Sequence, residues 1–363
     1  MTRKKVLFIC PYPENVAPSQ RLKFEQYYPH FRQAGYQVDV SSFIQPPFWK
    51  IIYQRGNFLK KVYYSLLGYL HRLRDLFRLR QYDAVYVHLW VTPFGPPMFE
   101  WLFKKTARRI VYDIDDLVYL KGAKSQTHPV MNLIKGRNKP IFLMKHADHV
   151  ITCTPYLDGF VRKFNHLTTD ISSTINTEVY RPKESYAVNG TLTIGWSGSH
   201  STAVFLHSLD NMFQELASEI DFKLLVMGDP SFRIPGVNVE AIPWKEEYEV
   251  AVISRFDIGV YPLPDEEWVL GKSGLKALQY MALGIPTVAT AIGTIFRIIE
   301  DGKNGFLVTG KQEWKEKIKA LLHSETLRKT IGQNGQKTVE TAYSINANKS
   351  TYINILDTVT REA

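Results

Sequence analysis

Short apolar, β-branched runs alternate with stretches of helical periodicity along most of the chain. In the first half, VLFICPY (6–12), QVDVSSF (37–43), AVYVHLW (84–90), RIVYDID (109–115) and HVITCT (149–154) read as strands, and helical patterns separate most of them. That rhythm predicts a parallel sheet with helices on both faces. After INTEVYRPKESYAVNG it restarts with LTIGWSG (192–198), FKLLVMGD (222–229), VNVEAIPW (237–244), DIGVYPL (257–263), IPTVAT (285–290) and GFLV (305–308). The pattern predicts an α/β chain of two doubly wound domains, residues 1–185 and 186–345, with a closing helix in 346–363 open to a return onto the first. The polar, Pro- and Gly-containing stretch from Arg181 to Gly190 reads as the linker.

Two such domains facing each other make a cleft lined by the carboxyl ends of both sheets, where ligands bind in folds of this kind. The segments that follow strands therefore carry the candidate chemistry. In the first domain these are PENVAPSQR, VTPFGPP and DDLVYLKG, and in the second SGSHST, GDPSF and PDEEWVLGKSG.

At 363 residues the chain exceeds what one core usually supports, in agreement with two domains. Cys10 and Cys153 lie far apart with no metal-ligand spacing, which points to reduced thiols in a cytosolic protein. The apolar stretch at the start is too short for a signal peptide. The longest uncharged run, Ala277 to Phe296, is broken by Gly284 and Pro286, so no membrane-spanning segment is expected. Charge changes the picture more. Of the net +10, eight Lys or Arg against Asp75 alone fall between residues 50 and 80, among many aromatic and aliphatic side chains. A basic, aromatic-rich helix pair of this kind suits an anionic membrane surface, and a solvated helix covering a sheet accounts for the same composition. No recognised nucleic-acid module accompanies it.

The segment GKSGLKALQYMALGIPTVAT (271–290) places charge where it can act. A helix starting near Ser273 has that residue as its cap, Lys272 at its entry, and Lys276 and Gln279 on one face. Gly284 and Pro286 end it. The free amides of a helix N-terminus favour an anion, and two lysines beside them suit a diphosphate. Solvated lysines on a sheet-covering helix are the plainer account of the same positions.

PLPDEEWVLGKSGLKALQYMALGIPTVATAIGTIFRIIEDGKNGFLV, with EWKEKIKALL and LRKTIGQNGQKTVETAYS after it, resembles the donor-binding half of family 4 glycosyltransferases. These are retaining enzymes with the GT-B fold of two Rossmann-like domains. LTIGWSGSHSTAVFL is similar to the glycine loop that opens the family's second domain, and APSQRLKFEQYYPHFRQAGYQVDV to its opening loop and helix. VYDIDDLVY resembles a bacterial subgroup with paired aspartates after a strand. The family's two glutamates, eight positions apart, are replaced here by Gly271 and Gln279, and its Arg and Lys after the glycine loop are absent.

The resemblance implies transfer of a sugar from a nucleotide-sugar donor, with retention, without a metal or other cofactor, to a glycan or lipid-linked acceptor. It places the enzyme in bacterial cell-surface polysaccharide or glycoprotein glycan synthesis, and the basic stretch between residues 50 and 80, joined to that chemistry, points to a cytoplasmic enzyme peripheral on the inner membrane face. Gly198, Ser199 and His200 would hold the donor diphosphate with Lys272, Ser273 and Lys276, the lysines supplying the missing positive charge. Gln279 would accept from a ribose hydroxyl, and Asp265 would take over contact with donor-sugar hydroxyls. Asp115 and Asp116 are candidates for orienting or deprotonating the acceptor hydroxyl, beside Arg21 and His88. Helix capping or an Arg partner is the structural alternative for the two aspartates, and the DIDD spacing also fits a divalent cation. A nucleotide-sugar epimerase and a non-catalytic sugar-nucleotide binding protein are the competing functions.

Overall fold

The computed structural model describes residues 3–118, 136, 138–187 and 190–361. The chain divides into two compact units, Met1–Ser172 with Asn348–Ala363, and Ser173–Ala347.

In the first unit the apolar runs form β1 (Lys5–Cys10), β2 (Gln37–Ser42), β3 (Ala84–His88), β4 (Ile110–Asp113), β5 (His149–Thr152) and β6 (Thr168–Asp170). All neighbours pair in parallel, in the order β2-β1-β3-β4-β5-β6. Val6 to Cys10 and Ala84 to His88 are buried at every position, because helices cover both faces of a parallel sheet and leave no side for polar residues. Between the strands run α1 (Pro18–Arg21), α2 (Tyr28–Gln33), α3 (Pro46–Ile52), α4 (Phe58–Arg78), α5 (Met98–Thr106), α6 (Lys139–His146) and α7 (Pro155–Val161).

The second unit repeats the plan with β7 (Leu192–Ser197), β8 (Phe222–Met227), β9 (Val239–Ile242), β10 (Ile258–Tyr261), β11 (Thr287–Thr290) and β12 (Phe306–Val308). Its order is β12-β11-β10-β7-β8-β9, again parallel throughout. Its helices are α8 (His200–Leu206), α9 (Asp210–Ala217), α10 (Glu249–Ile253), α11 (Leu275–Ala282), α12 (Ile295–Ile298), α13 (Lys311–His323) and α14 (Glu325–Thr338). One core lies around Trp196, Leu206, Phe213 and Trp314, the other around Phe256, Leu278, Tyr280 and Met281.

The last helix, α15 (Ile345–Arg361), belongs to the first unit from Asn348 onward. Tyr352 packs its ring 4.5 Å from that of Tyr27, Tyr36 donates to Asp357, and Lys4 donates to Thr360.

The expected linker is not one. Residues after Ser172 already belong to the second unit, where Tyr180 and Tyr186 are buried, Tyr186 donates to the Gly284 carbonyl and Lys183 pairs with Asp257. Two tyrosines anchor a stretch whose prolines and charges alone look like a connector.

Arg72 also departs from expectation. Counted among the membrane-facing charges, it is 0 % exposed and donates to the Cys10 and Val91 carbonyls, to Ser41 and to Asp75. A cation sealed this way holds α4 against β1 and β2 and cannot meet a surface. Cys10 and Cys153 are free and buried. Among the described residues, no helix is long and apolar enough to cross a membrane.

Candidate functional site

In the second sheet the strand order reverses between β7 and β10. Loops leaving the carboxyl ends of two such neighbours diverge to opposite faces and open a crevice, the usual ligand position in these sheets. Gly198, Ser199 and His200 leave β7, and the chain from Asp265 to Lys276 leaves β10.

The β7 loop is drawn tight by backbone contacts. The Gly198 N–H donates to the Met227 carbonyl, and Gly228, at φ 119°, lies so near that a Cβ there would sit 1.7 Å from the Gly198 oxygen. A Cβ on Gly198 itself would lie 2.3 Å from the Trp196 ring and 2.7 Å from the Lys276 Nζ. Glycine is thus required at both places for different reasons, and Lys276 comes directly onto the glycine loop. Ser199 caps α8 in a reciprocal arrangement with Thr202. His200 is exposed, its Nδ1 2.9 Å from Asp229. Two hydrogen bonds from Ser231 and the contact with His200 hold the Asp229 carboxyl below its usual range.

Helix α11 starts at Leu275, with Gly274 as its cap residue in the left-handed region at φ 76°. Ser273 is therefore not the cap; its Oγ lies 2.7 Å from Ser173 Oγ. Lys272 precedes the helix in extended backbone, its Nζ 5.5 Å above the Trp268 ring. Trp268 is in turn held by its indole N–H on Glu266. Lys276, in the first turn, stands 4.5 Å over the Trp196 ring and 5.6 Å from that of Tyr261. Among the described residues it makes no ion pair. Burial, and then the charge of Lys272, push its ammonium down to about 7. Ring faces favour the ammonium without a carboxylate to oppose it, so an anionic ligand would find no competing acid at Lys276.

Gln279 is buried, and its amide nitrogen donates to Tyr180. The Tyr180 hydroxyl donates to Glu249, whose other oxygen accepts from the Trp244 indole N–H at 2.9 Å. A ribose contact from Gln279 is left its carbonyl oxygen and its second amide N–H. Asp265 is exposed in the β10 loop and has no hydrogen bond or ion pair among the described residues. Glu249 and Tyr180 were not foreseen, since nothing in their spacing ties them to Gln279.

In the first unit Asp115 and Asp116 follow β4 and are half-buried. Asp116 adopts φ 65°, and two other non-glycine residues after strands share that region: Asn15 at φ 64° after β1 and Leu89 at φ 59° after β3. β1, β3 and β4 are successive in the sheet, so strained backbone gathers at one carboxyl edge. Asp115 lies against the Cys153 thiol, which burial and then that carboxylate push up. Arg21 closes α1, half-buried.

The DIDD aspartate with the heaviest commitments is Asp113, which sequence spacing did not single out. Fully buried, it pairs with Lys23 and accepts from Tyr86. Burial works against the Lys23 charge, but Asp113, Cys153 and Asp115 outweigh it and hold the ammonium above its usual range. His88, expected at a ligand surface, is instead 0 % exposed, and burial and then Lys23 push it down to about 3. It is a neutral core residue beside Phe24 and cannot contact an acceptor. Among the described residues, no group of three or more His, Cys, Asp or Glu is placed to hold a metal ion.

Gly198→Ala tests the glycine loop. The added methyl must displace the Trp196 ring or Lys276, and a loss of about 1–3 kcal/mol in stability is expected, measured by thermal unfolding.

Residues 192–324 match the family model described as glycosyl transferases group 1. The capsular polysaccharide biosynthesis glycosyltransferase CapM of Staphylococcus aureus is 28% identical over 172 residues, 43% of each chain. Glycosyltransferase MJ1178 of Methanocaldococcus jannaschii is 41% identical over 219 residues, 57% of this chain and 58% of that one. The chain thus spans about half the length of these curated relatives. Among solved structures, Anabaena HepE in complex with UDP and glucose superposes with a TM-score of 0.71 at 16% identity, over 98% of this chain and all of that one. The fold is the two-domain, Rossmann-like GT-B arrangement of parallel sheets. Over residues 192–324, which carry the glycine loop and both lysines, the chain holds a glycosyl transferases group 1 domain.

Proposed function

We propose that the protein is a retaining glycosyltransferase that moves a sugar from a nucleotide-sugar donor to a glycan or lipid-linked acceptor. The observation that carries this reading is Lys276, a cation without a carboxylate partner among the described residues, set against the glycine loop at the switch between β7 and β10. Lys272 and Lys276 would bind the diphosphate and neutralise the nucleoside diphosphate as it departs; the Gly198 and Ser199 amides expected to join them already donate to the Met227 carbonyl and to Thr202 Oγ1. UDP in HepE makes a uridine nucleotide the first candidate. Attack by the acceptor on the face the leaving phosphate vacates, with that phosphate taking the proton, gives retention and asks no metal of the protein. On the first unit, Asp115 and Asp116 would orient the acceptor hydroxyl, with Arg21 near the same edge. A cell-surface glycan is the proposed product, made by a peripheral enzyme on the inner face of the membrane.

The test is calorimetry of UDP, GDP, ADP and CMP with chelator present, on the wild type and on Lys272→Ala, followed by a transfer assay with the matching nucleotide-sugar. Selective binding of one nucleotide, weakened about tenfold or more by the substitution, is expected. No binding to any of the four would end the donor-site assignment. A second reading, a sugar-nucleotide binding protein without transfer, is favoured by one observation: Gly271 and a buried Gln279 stand where the resembled family has carboxylates. Binding without turnover would select it.

A further inference from the structure

Most of the exposed large apolar side chains of the first unit lie on or beside α4. Leu59, Val62, Leu66, Leu70, Leu73 and Phe77 follow one another at intervals of three or four, so at 3.6 residues per turn they share one face. Leu59 is 81 % and Phe77 83 % exposed, while Gly68, Arg72 and Asp75 bury the opposite face. Burying the second stripe would be favourable, and no described residue of the first unit does it.

The charges around the stripe identify what would cover it. Of the eight Lys and Arg between residues 50 and 80, only Arg72 is buried, and Asp75, the segment's one acid, is bonded to it. Asp75 also pairs with Arg78, and the other six have no acid partner among the described residues. A second copy of the chain would bring these like charges together across a symmetric contact, whereas lipid phosphates would neutralise them. Beside the stripe, a groove of about 430 Å³ opens between α3 and the first turns of α4, lined by Pro47, Ile51, Leu59, Lys60, Tyr63 and Tyr64. Its walls are hydrocarbon and aromatic ring, with Lys60 as the single charge. No described helix is fit to cross a membrane, which leaves an in-plane position.

We propose that α3 and α4 dock the protein flat on an anionic lipid bilayer. The stripe enters the boundary between headgroups and acyl chains, one lipid chain occupies the groove, and Lys60, Arg74 and Arg80 meet phosphates. This rests on the membrane placement proposed above, but not on the donor chemistry.

The experiment is vesicle flotation without nucleotide. It compares phosphatidylcholine alone with phosphatidylcholine containing phosphatidylglycerol. The variants are Leu66→Glu with Leu70→Glu, and Lys60→Glu with Arg74→Glu, each checked for folding by circular dichroism melting. Binding confined to the anionic vesicles, and about tenfold or more weaker in either double variant, is expected. A Phe77→Trp variant should show blue-shifted emission on those vesicles, quenched by lipids brominated near the headgroup end of the chain. Absence of binding, or binding that survives the leucine substitutions, would overturn the proposal. So would a dimer in light scattering that the leucine substitutions dissolve while vesicles are ignored. All varied residues lie in the first unit and no nucleotide is present, so a failed donor assay and a failed flotation are separate results.

Discussion

Replacing Lys276 by Met is expected to weaken nucleoside diphosphate binding by about ten- to hundredfold, the usual value of a hydrogen bond to a charged group. It should also abolish a pH dependence that the wild type shows. In the empty site Lys276 is pushed down to about 7 by burial and then by Lys272, so above that pH it is largely neutral. A bound diphosphate favours the ammonium, and binding must then draw a proton from solution. Affinity should therefore fall as pH rises above about 7, by at most about tenfold per unit, and should not vary with pH through this group at lower pH, where it is already charged. Calorimetry in Tris and in Hepes between about pH 7.5 and 8.5, where the nucleotide phosphate is already ionised, reads the uptake directly as a difference in observed heat. Equal heats in the two buffers for the wild type would show that no proton moves. Folding follows the opposite sign. The unfolded lysine keeps its proton up to the ordinary lysine range, so this group's contribution to stability rises with pH across the window between the two values.

The larger effect on stability is expected in the first unit. Lys23→Met leaves the Asp113 carboxylate buried at the end of β4 with Tyr86 as its remaining donor, and should cost about 3–5 kcal/mol. The loss belongs to the unfolding of the first unit, so denaturant titration must resolve it from the second, because a chain of two units need not unfold in one step. The double variant Lys23→Met with Asp113→Leu should recover much of the deficit, since two apolar side chains tolerate a dry interior that a single carboxylate does not. If the single substitution costs less than about 1 kcal/mol, the pair is not what ties the chain after α1 to the end of β4.

The architecture was readable because parallel strands buried on both faces leave uninterrupted apolar runs. Eleven of the twelve strands correspond to such runs. β6 was missed because its residues, Thr168 to Asp170, are polar ones at a sheet edge. Several runs overshoot the carboxyl ends of their strands: Pro11 and Ile114 are buried beyond the strands, where the Pro11 carbonyl still accepts from the Ile44 N–H and the Ile114 N–H still donates to the Ile151 carbonyl. That the glycine loop and Lys276 share one end of the sheet was legible from the order of glycines and lysines after strands. What could not be read was commitment. Spacing gives no sign that Arg72 turns inward, that His88 ends a central strand under Phe24, or that Gln279 is bonded to a tyrosine far away in the chain. Each depends on which neighbour the fold supplies, and a long-range partner leaves no local mark.

The return of α15 has a consequence for how the protein is made. Ile175 and Ser344 form a parallel bridge, so the places where the chain enters and leaves the second unit are side by side. During synthesis from the amino end, every residue of the second unit is made before Tyr352, Ile355, Leu356 and Val359. The first unit, begun earlier, must wait with Tyr27 and Tyr36 uncovered until its last segment arrives. The order of completion is the reverse of the order of synthesis, and the exposed interval falls on the unit that was started first.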